Sequence, residues 1–317
     1  MNLNQPEVPS VTGTGVTWYH VQARSVADLD FMAKLFAANA FDIADCVSQK
    51  QLPTVVNRRD YLFAILHFPR FLTEKMTVVP RQLSIFVGER VVVTVYQSEL
   101  KPLHSLFAAC QGGGEMAAEL LDKDSGDLLW RIMDALVDYL FPMLDKTLEA
   151  LENIEDDVFD DRTSSAVPVN FLRRDITDQR RILFPLERLV GEIRTKAKRY
   201  GRSDLDLHYE DLQDRVTRVW LTLDSAKERV EIFKDTDFIL SSEKTNKILA
   251  ILTILFTLSI PVTVAGTLMG MNVPIPGGIE AGPWGFWGRY TTFWIVVLIS
   301  TVPAGLMAWL FRRWRWI

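Results

Sequence analysis

The last quarter of the chain holds two stretches free of charged side chains, Ile248 to Met269 and Tyr290 to Phe311, and these limit the fold more than any other feature. At ~1.5 Å of rise per residue, each is long enough as a helix to cross the ~30 Å hydrocarbon layer of a bilayer. Arg312, Arg313, Trp314, Arg315 and Trp316 follow the second stretch as a basic, aromatic stop. A membrane domain at residues 247–317 is therefore expected, with a first span at about 248–269, an outer loop at 270–289, a second span at about 290–311 and a basic tail at 312–317.

The first 240 or so residues carry most of the charge, so a large soluble part precedes the small membrane domain. Met1 to Ser10 is polar and contains proline without an apolar core, which is not the pattern of a signal peptide. Lys244 and Lys247 precede the first span and Arg312, Arg313 and Arg315 follow the second, whereas the loop between offers Arg289. Both termini are expected in the cytoplasm, with the chain crossing the cell (inner) membrane twice. Cys46 and Cys110 sit among apolar neighbours and read as reduced core residues. His20, His67, His104 and His208 show no metal-ligand spacing, so a zinc hydrolase finds no support. The formal net charge is −5, with acidic residues crowding the soluble part, and nucleic acid is not an expected partner. No phosphate-binding glycine loop or nucleophile motif is visible, and the chain does not read as an enzyme.

Residues 1–124 read as an α/β cytoplasmic module. Short β-rich runs lie at Val16–Val21, Tyr61–Phe68, Gln82–Val87 and Val91–Tyr96, the last two joined by a hairpin at Gly88-Glu89-Arg90. Helical spacing marks Ser25–Phe36 and Phe41–Ser48. Residues 125–246 read as a stalk of long helices: Leu128–Phe159, Asn170–Lys198 and a third beginning near Leu207. Glu210 through Asn246 contains neither proline nor glycine, so the third helix should run unbroken into the first span, roughly 65 residues and on the order of 100 Å in all. A helix of that length needs partners for its apolar stripe, including copies of itself.

Two spans cannot enclose a polar pathway alone, so transport would need several subunits around an axis. Stepping back from Gly270 by three and four residues gives Thr267, Thr263, Ile260, Phe256, Thr253, Leu249 and Asn246, one helical stripe mixing hydroxyls and an amide with bulky apolar groups. Such a stripe could give a hydrated cation polar contacts and leave apolar constrictions that close by dewetting. Threonines in a membrane helix also bond to their own carbonyls or pack on a neighbour, and that reading stays open. Gly270-Met271-Asn272 ends the span. Gly and Asn there can be plain C-terminal caps. Alternatively, several copies of Asn272 would form a ring of neutral oxygens suited to the water shell of Mg²⁺, which dehydrates reluctantly.

With Gly270-Met271-Asn272 at the end of the first of two C-terminal spans, the chain resembles the CorA-type divalent metal ion transporters. SEKTNKILAILTILFTLSIPVTVAGTLMGMN is similar to that family's pore helix, including Pro261 and Thr263. DALVDYLFPMLDK from Asp134 and RRILFPLERLV from Arg180 resemble its first two long cytoplasmic helices. The resemblance implies a funnel-shaped homopentamer in the lipid bilayer, with Gly270, Met271 and Asn272 as the selectivity filter. It also implies pore-facing positions for Thr263, Ile260, Leu252, Leu249 and Asn246, the apolar ones forming the gate. Asp211 falls where the family senses cytoplasmic Mg²⁺, and Glu74 is the one carboxylate in Phe68–Lys75 that could partner it. Many members carry a glutamate soon after the signature; here Glu280 alone could supply that entrance charge, from a shifted place.

The expected function is uptake of a divalent cation, Mg²⁺ first and also Co²⁺ or Ni²⁺, driven by the membrane potential and gated by the ion inside, with Mg²⁺ as cargo and no cofactor. Two alternatives stand: a zinc transporter of the ZntB type, with or without proton coupling, whose members usually carry Gly-Val-Asn or Gly-Ile-Asn, and a non-conducting, membrane-tethered regulatory or scaffold protein.

Overall fold

The computed structural model describes residues 8–48, 51–72, 77–159, 166–201, 205–271, 286, 288 and 290–314. Among these, strands β1 (Ser10–Thr12), β2 (Thr17–Gln22), β3 (Thr54–Asn57), β4 (Leu62–Leu72), β5 (Thr77–Val87) and β6 (Val91–Tyr96) form one sheet in the order β1-β2-β6-β5-β4-β3. The pair β2 and β6 is parallel, running from Thr17 opposite Val91 to Gln22 opposite Tyr96, and the other neighbours are antiparallel. A parallel pair needs a crossover, which the chain makes through β3, β4 and β5.

Both faces of the sheet are covered. On one, Phe63, Ile65, Phe86, Val93 and Val95 meet Met32, Phe36, Ile43 and Cys46 from α1 (Asp30–Phe36) and α2 (Ala40–Val47). The Asn39 side chain caps α2 by accepting from the Phe41 N–H at 3.0 Å. On the other face, Trp18 meets Phe107 of α3 (Lys101–Gln111) edge to face at 5.0 Å, and its indole N–H donates to Thr94 Oγ1 at 3.0 Å. Two-sided cover explains why Leu62 to Leu66 is a continuous buried run instead of an alternating one.

After α3 come α4 (Glu115–Leu121), α5 (Ser125–Asp138), α6 (Leu140–Phe159), α7 (Ala166–Lys196), α8 (Asp206–Met269) and α9 (Thr291–Arg313). The expected single helix Leu128–Phe159 is two, broken at Tyr139. Pro142 explains the break: it has no N–H for the Asp138 carbonyl, and its ring crowds that oxygen. By contrast α8 is one helix of 64 residues, close to the length its lack of early breakers predicts.

The chain divides into two compact units, Met1–Asp235 and Thr236–Ile317. Within the first, α7 packs on β3, β4 and β5, and the opening part of α8 buries Tyr209, Leu212, Val216, Val219, Leu223, Ala226, Val230 and Phe233 at three- and four-residue intervals. Ion pairs flank this seam, Arg173 to Glu231 at 2.6 Å and Arg229 to Glu155 at 2.7 Å among them. In the second unit, burial nearly vanishes: among its described residues only Thr291 and Ser300 are buried.

Candidate functional site

The candidate pathway residues lie on the Thr236–Met269 part of α8 and on the turn that follows. This part of α8 and the whole of α9 are long and apolar enough to cross a membrane, and none of the most apolar stretch of α8 is buried within the chain. Its better covered positions are Ala250, Ile254, Thr257, Leu258, Pro261, Ala265 and Met269, which share one face. Asn246, Leu249, Thr253, Phe256, Ile260, Thr263 and Thr267 are all exposed. At 3.6 residues per turn the two sets lie roughly 130° apart around the helix. The exposed stripe is thus nearly opposite the covered one, and Leu252, also exposed, lies on the margin of the stripe away from that covered face.

An apolar helix left uncovered in this way belongs against lipid or protein. The stripe, however, carries hydroxyls and an amide, groups that hydrocarbon does not solvate. Thr253 Oγ1 donates to Leu249 O at 2.7 Å, Thr263 Oγ1 to Ser259 O at 2.9 Å and Thr267 Oγ1 to Thr263 O at 2.7 Å. The two readings of these threonines are therefore compatible. Each hydroxyl hydrogen is used inside the helix, which leaves the oxygen lone pairs as acceptors, the polarity a cation needs.

The helix keeps turning through its end. Gly270 N–H donates to Gly266 O at 3.0 Å and Thr267 O at 3.1 Å, and Met271 N–H donates to Leu268 O at 3.3 Å. Gly270 does not adopt the left-handed conformation of a helix-terminating glycine cap. What glycine provides there is an uncovered backbone. Asn272, Glu280 and Glu74 lie outside the described residues.

Asp211 stands on α8 in the first unit with its side chain 70% exposed, and its Oδ2 is 3.0 Å from Arg215 Nε. Arg215 also pairs with Asp134 and Asp138 on α5. Three carboxylates thus share one guanidinium, which leaves an acidic excess around Asp211. The reading of single residues missed this cluster. Its signal was present as two four-residue spacings, Asp134 to Asp138 and Asp211 to Arg215, each placing both groups on one helix face. Glu155, near the end of α6, is engaged by Arg229.

Several known proteins are similar to this chain. The chain is 25% identical to the Bacillus subtilis protein named "Putative metal ion transporter YfjQ", over 98% of this chain and 94% of that protein. It is 22% identical to the zinc transport protein ZntB of Pectobacterium atrosepticum, over 74% of this chain and 67% of that protein. The solved structure of the CorA magnesium transporter from Methanocaldococcus jannaschii shares the fold, with a TM-score of 0.75 and 20% identity over 96% of this chain and 92% of that one. Residues 13–313 match the family described as CorA-like Mg2+ transporter protein, and the chain belongs to that family.

Proposed function

We propose that the chain is one subunit of a homopentameric channel in the cell membrane that carries Mg²⁺ inward, with both termini in the cytoplasm. The observation that carries this reading is the exposed, hydroxyl-bearing stripe from Asn246 to Thr267, set nearly opposite the covered face of the same helix. Copies packed around an axis would turn the stripe inward, where acceptor oxygens replace some of the contacts a hydrated cation has with bulk water. Asn272 rings the outer mouth with Gly270 carbonyls beside it, and Leu249, Leu252, Phe256 and Ile260 supply the apolar constriction. Met271 lies between these filter groups, and Glu280 adds entrance charge. A membrane potential contributes ~2.3 kcal/mol per charge per 100 mV, so a divalent ion is drawn inward by about twice that without a coupled fuel. Asp211 belongs to a cytoplasmic site that fills with Mg²⁺ and closes the channel.

Similarity to a zinc transport protein supports a second reading, zinc movement coupled to protons. Met271 favours the first, since the zinc transporters usually have Val or Ile at that place in the signature. Flux of Mg²⁺, Co²⁺, Ni²⁺ and Zn²⁺ into proteoliposomes, with and without a proton gradient, separates them. Mg²⁺ flux that follows voltage and collapses in Asn272→Ala is the expected result. Zinc flux that follows the proton gradient would move the assignment to the second reading. Absence of any flux from folded protein would leave only a tethered, non-conducting role.

A further inference from the structure

In the first unit a cavity of about 610 Å³ opens between β4, β5, α6 and α7, a size that suits a small organic ligand. Its walls are largely apolar, formed by Phe71, Val78, Pro142, Met143, Ile154 and Phe171. Of its polar lining residues, Thr147, Asp175 and Gln179 form one hydrogen-bonded group. Their hydrogens are already committed: Thr147 Oγ1 donates to Met143 O at 3.1 Å, and Gln179 Nε2 donates to Thr147 Oγ1 at 3.0 Å and Asp175 Oδ2 at 3.2 Å. What remains is acceptors. Gln179 is 1% exposed, and its Oε1 is buried with no hydrogen-bond partner among the described residues; Asp175 also lies within reach of the Val78 backbone N–H, and its buried Oδ1 has no well-directed partner among them. Reversing the Gln179 amide does not cure this, because its oxygen would then face a carboxylate oxygen at 3.2 Å.

Two buried acceptors, one of them on a carboxylate, call for a donor carrying positive charge. The apolar walls call for a hydrocarbon body beside that donor. One carboxylate is too little to hold a desolvated divalent ion, and Lys146 on the lining opposes any cation, a divalent one by about twice as much as a monocation. We propose that this cavity binds a small organic monocation of the primary alkylammonium class, its N–H groups donating to Asp175 Oδ1 and Gln179 Oε1 and its alkyl chain lying against Phe71, Val78 and Phe171. Burial pushes the Asp175 carboxyl up, and a bound ammonium would favour its ionised form.

The test titrates the full-length protein in detergent with n-butylammonium, its neutral counterpart 1-butanol, and MgCl₂, following heat of binding. The wild type should bind butylammonium more tightly than butanol. Asp175→Asn, which keeps the shape and removes the charge, should weaken butylammonium by about tenfold or more while leaving butanol unchanged. Ala150→Phe, which fills the cavity from α6, should abolish both, and thermal unfolding verifies that each variant is folded. The proposal is overturned if the wild type takes up no butylammonium, if butanol binds as tightly, if folded Asp175→Asn or Ala150→Phe binds butylammonium like wild type, or if Mg²⁺ displaces the amine one for one.

Discussion

Arg215 Nε stands 3.0 Å from Asp211 Oδ2, one turn back along α8, while its two terminal nitrogens reach across to Asp138 and Asp134 on α5. Asp211 is the exposed arm of this cluster and Asp134 the sheltered one, with side chains 70% and 25% exposed. If Asp211 takes part in sensing Mg²⁺, the ion must compete with Arg215 for it.

Removing either side of that competition should move the response in opposite directions. Asp211→Ala should raise the Mg²⁺ concentration that protects the first unit from protease, and Arg215→Gln should lower it. Arg215→Gln should also cost roughly 2–3 kcal/mol of stability, because Asp134 loses a partly buried partner, whereas Asp211→Ala should cost under about 1 kcal/mol. Unchanged protection curves in both variants would remove Asp211 from the sensor.

A pH dependence is set by His20. Burial, with a smaller contribution from the neighbouring His104, lowers its pKa from 6.5 to about 4. The ring stacks on Tyr96 at 4.4 Å, lies 4.9 Å from Phe107, and places Nδ1 2.9 Å from Thr94 Oγ1. The fold thus holds the neutral form, and the unfolded chain binds the extra proton. This contribution is complete above pH 6.5 and is lost as pH falls from there to about 4, by about 3 kcal/mol. Denaturation across that range should show a shallower loss in His20→Phe than in wild type. His67, also lowered by burial, titrates in both proteins and cancels in the difference.

Gly15 marks where the β1–β2 turn meets the end of α4. Its N–H and that of Val16 both donate to Leu121 O, at 3.0 and 2.9 Å. A Cβ added to Gly15 would sit 1.7 Å from the Lys123 carbonyl oxygen, which is backbone and cannot swing aside. Gly15→Ala should therefore destabilise the first unit by about 3 kcal/mol, read as a lower denaturation midpoint at unchanged slope.

Where the physics is local, the sequence reveals these features well. The spans follow from uninterrupted apolarity, and α8 follows from the absence of proline and glycine over Glu210–Asn246. Strand β6 matches the expected Val91–Tyr96 residue for residue. The short strands β1 and β3, three and four residues long, escape because their pairing partners, rather than their composition, define them. Helices α3 and α4 escape too, short segments on either side of the glycines at 112–114, which interrupt the helical spacing. In the candidate site, the stripe on α8 is legible as spacing. The Arg215 cluster is legible only as two separate four-residue spacings, since its joining brings together side chains 77 and 81 residues apart.

Thr263 offers the sharpest test of the stripe. Its hydroxyl donates to Ser259 O at 2.9 Å, so in the proposed pore it can present only lone pairs to an ion. Valine keeps the shape and removes both the internal bond and the acceptor; serine keeps both. Losing an acceptor to a charged species costs about 1.5 kcal/mol or more, which is a tenfold or larger fall in flux, and each copy around the axis contributes. Thr263→Val should thus lower Mg²⁺ flux at least about tenfold in proteoliposomes, and Thr263→Ser should stay within about twofold of wild type. Stability separates the two roles, because deleting a back-bonding hydroxyl in a helix is neutral to slightly stabilising. Equal flux in Thr263→Val and wild type would assign this threonine to helix packing, and a matched loss of flux and thermal stability would assign it to the fold.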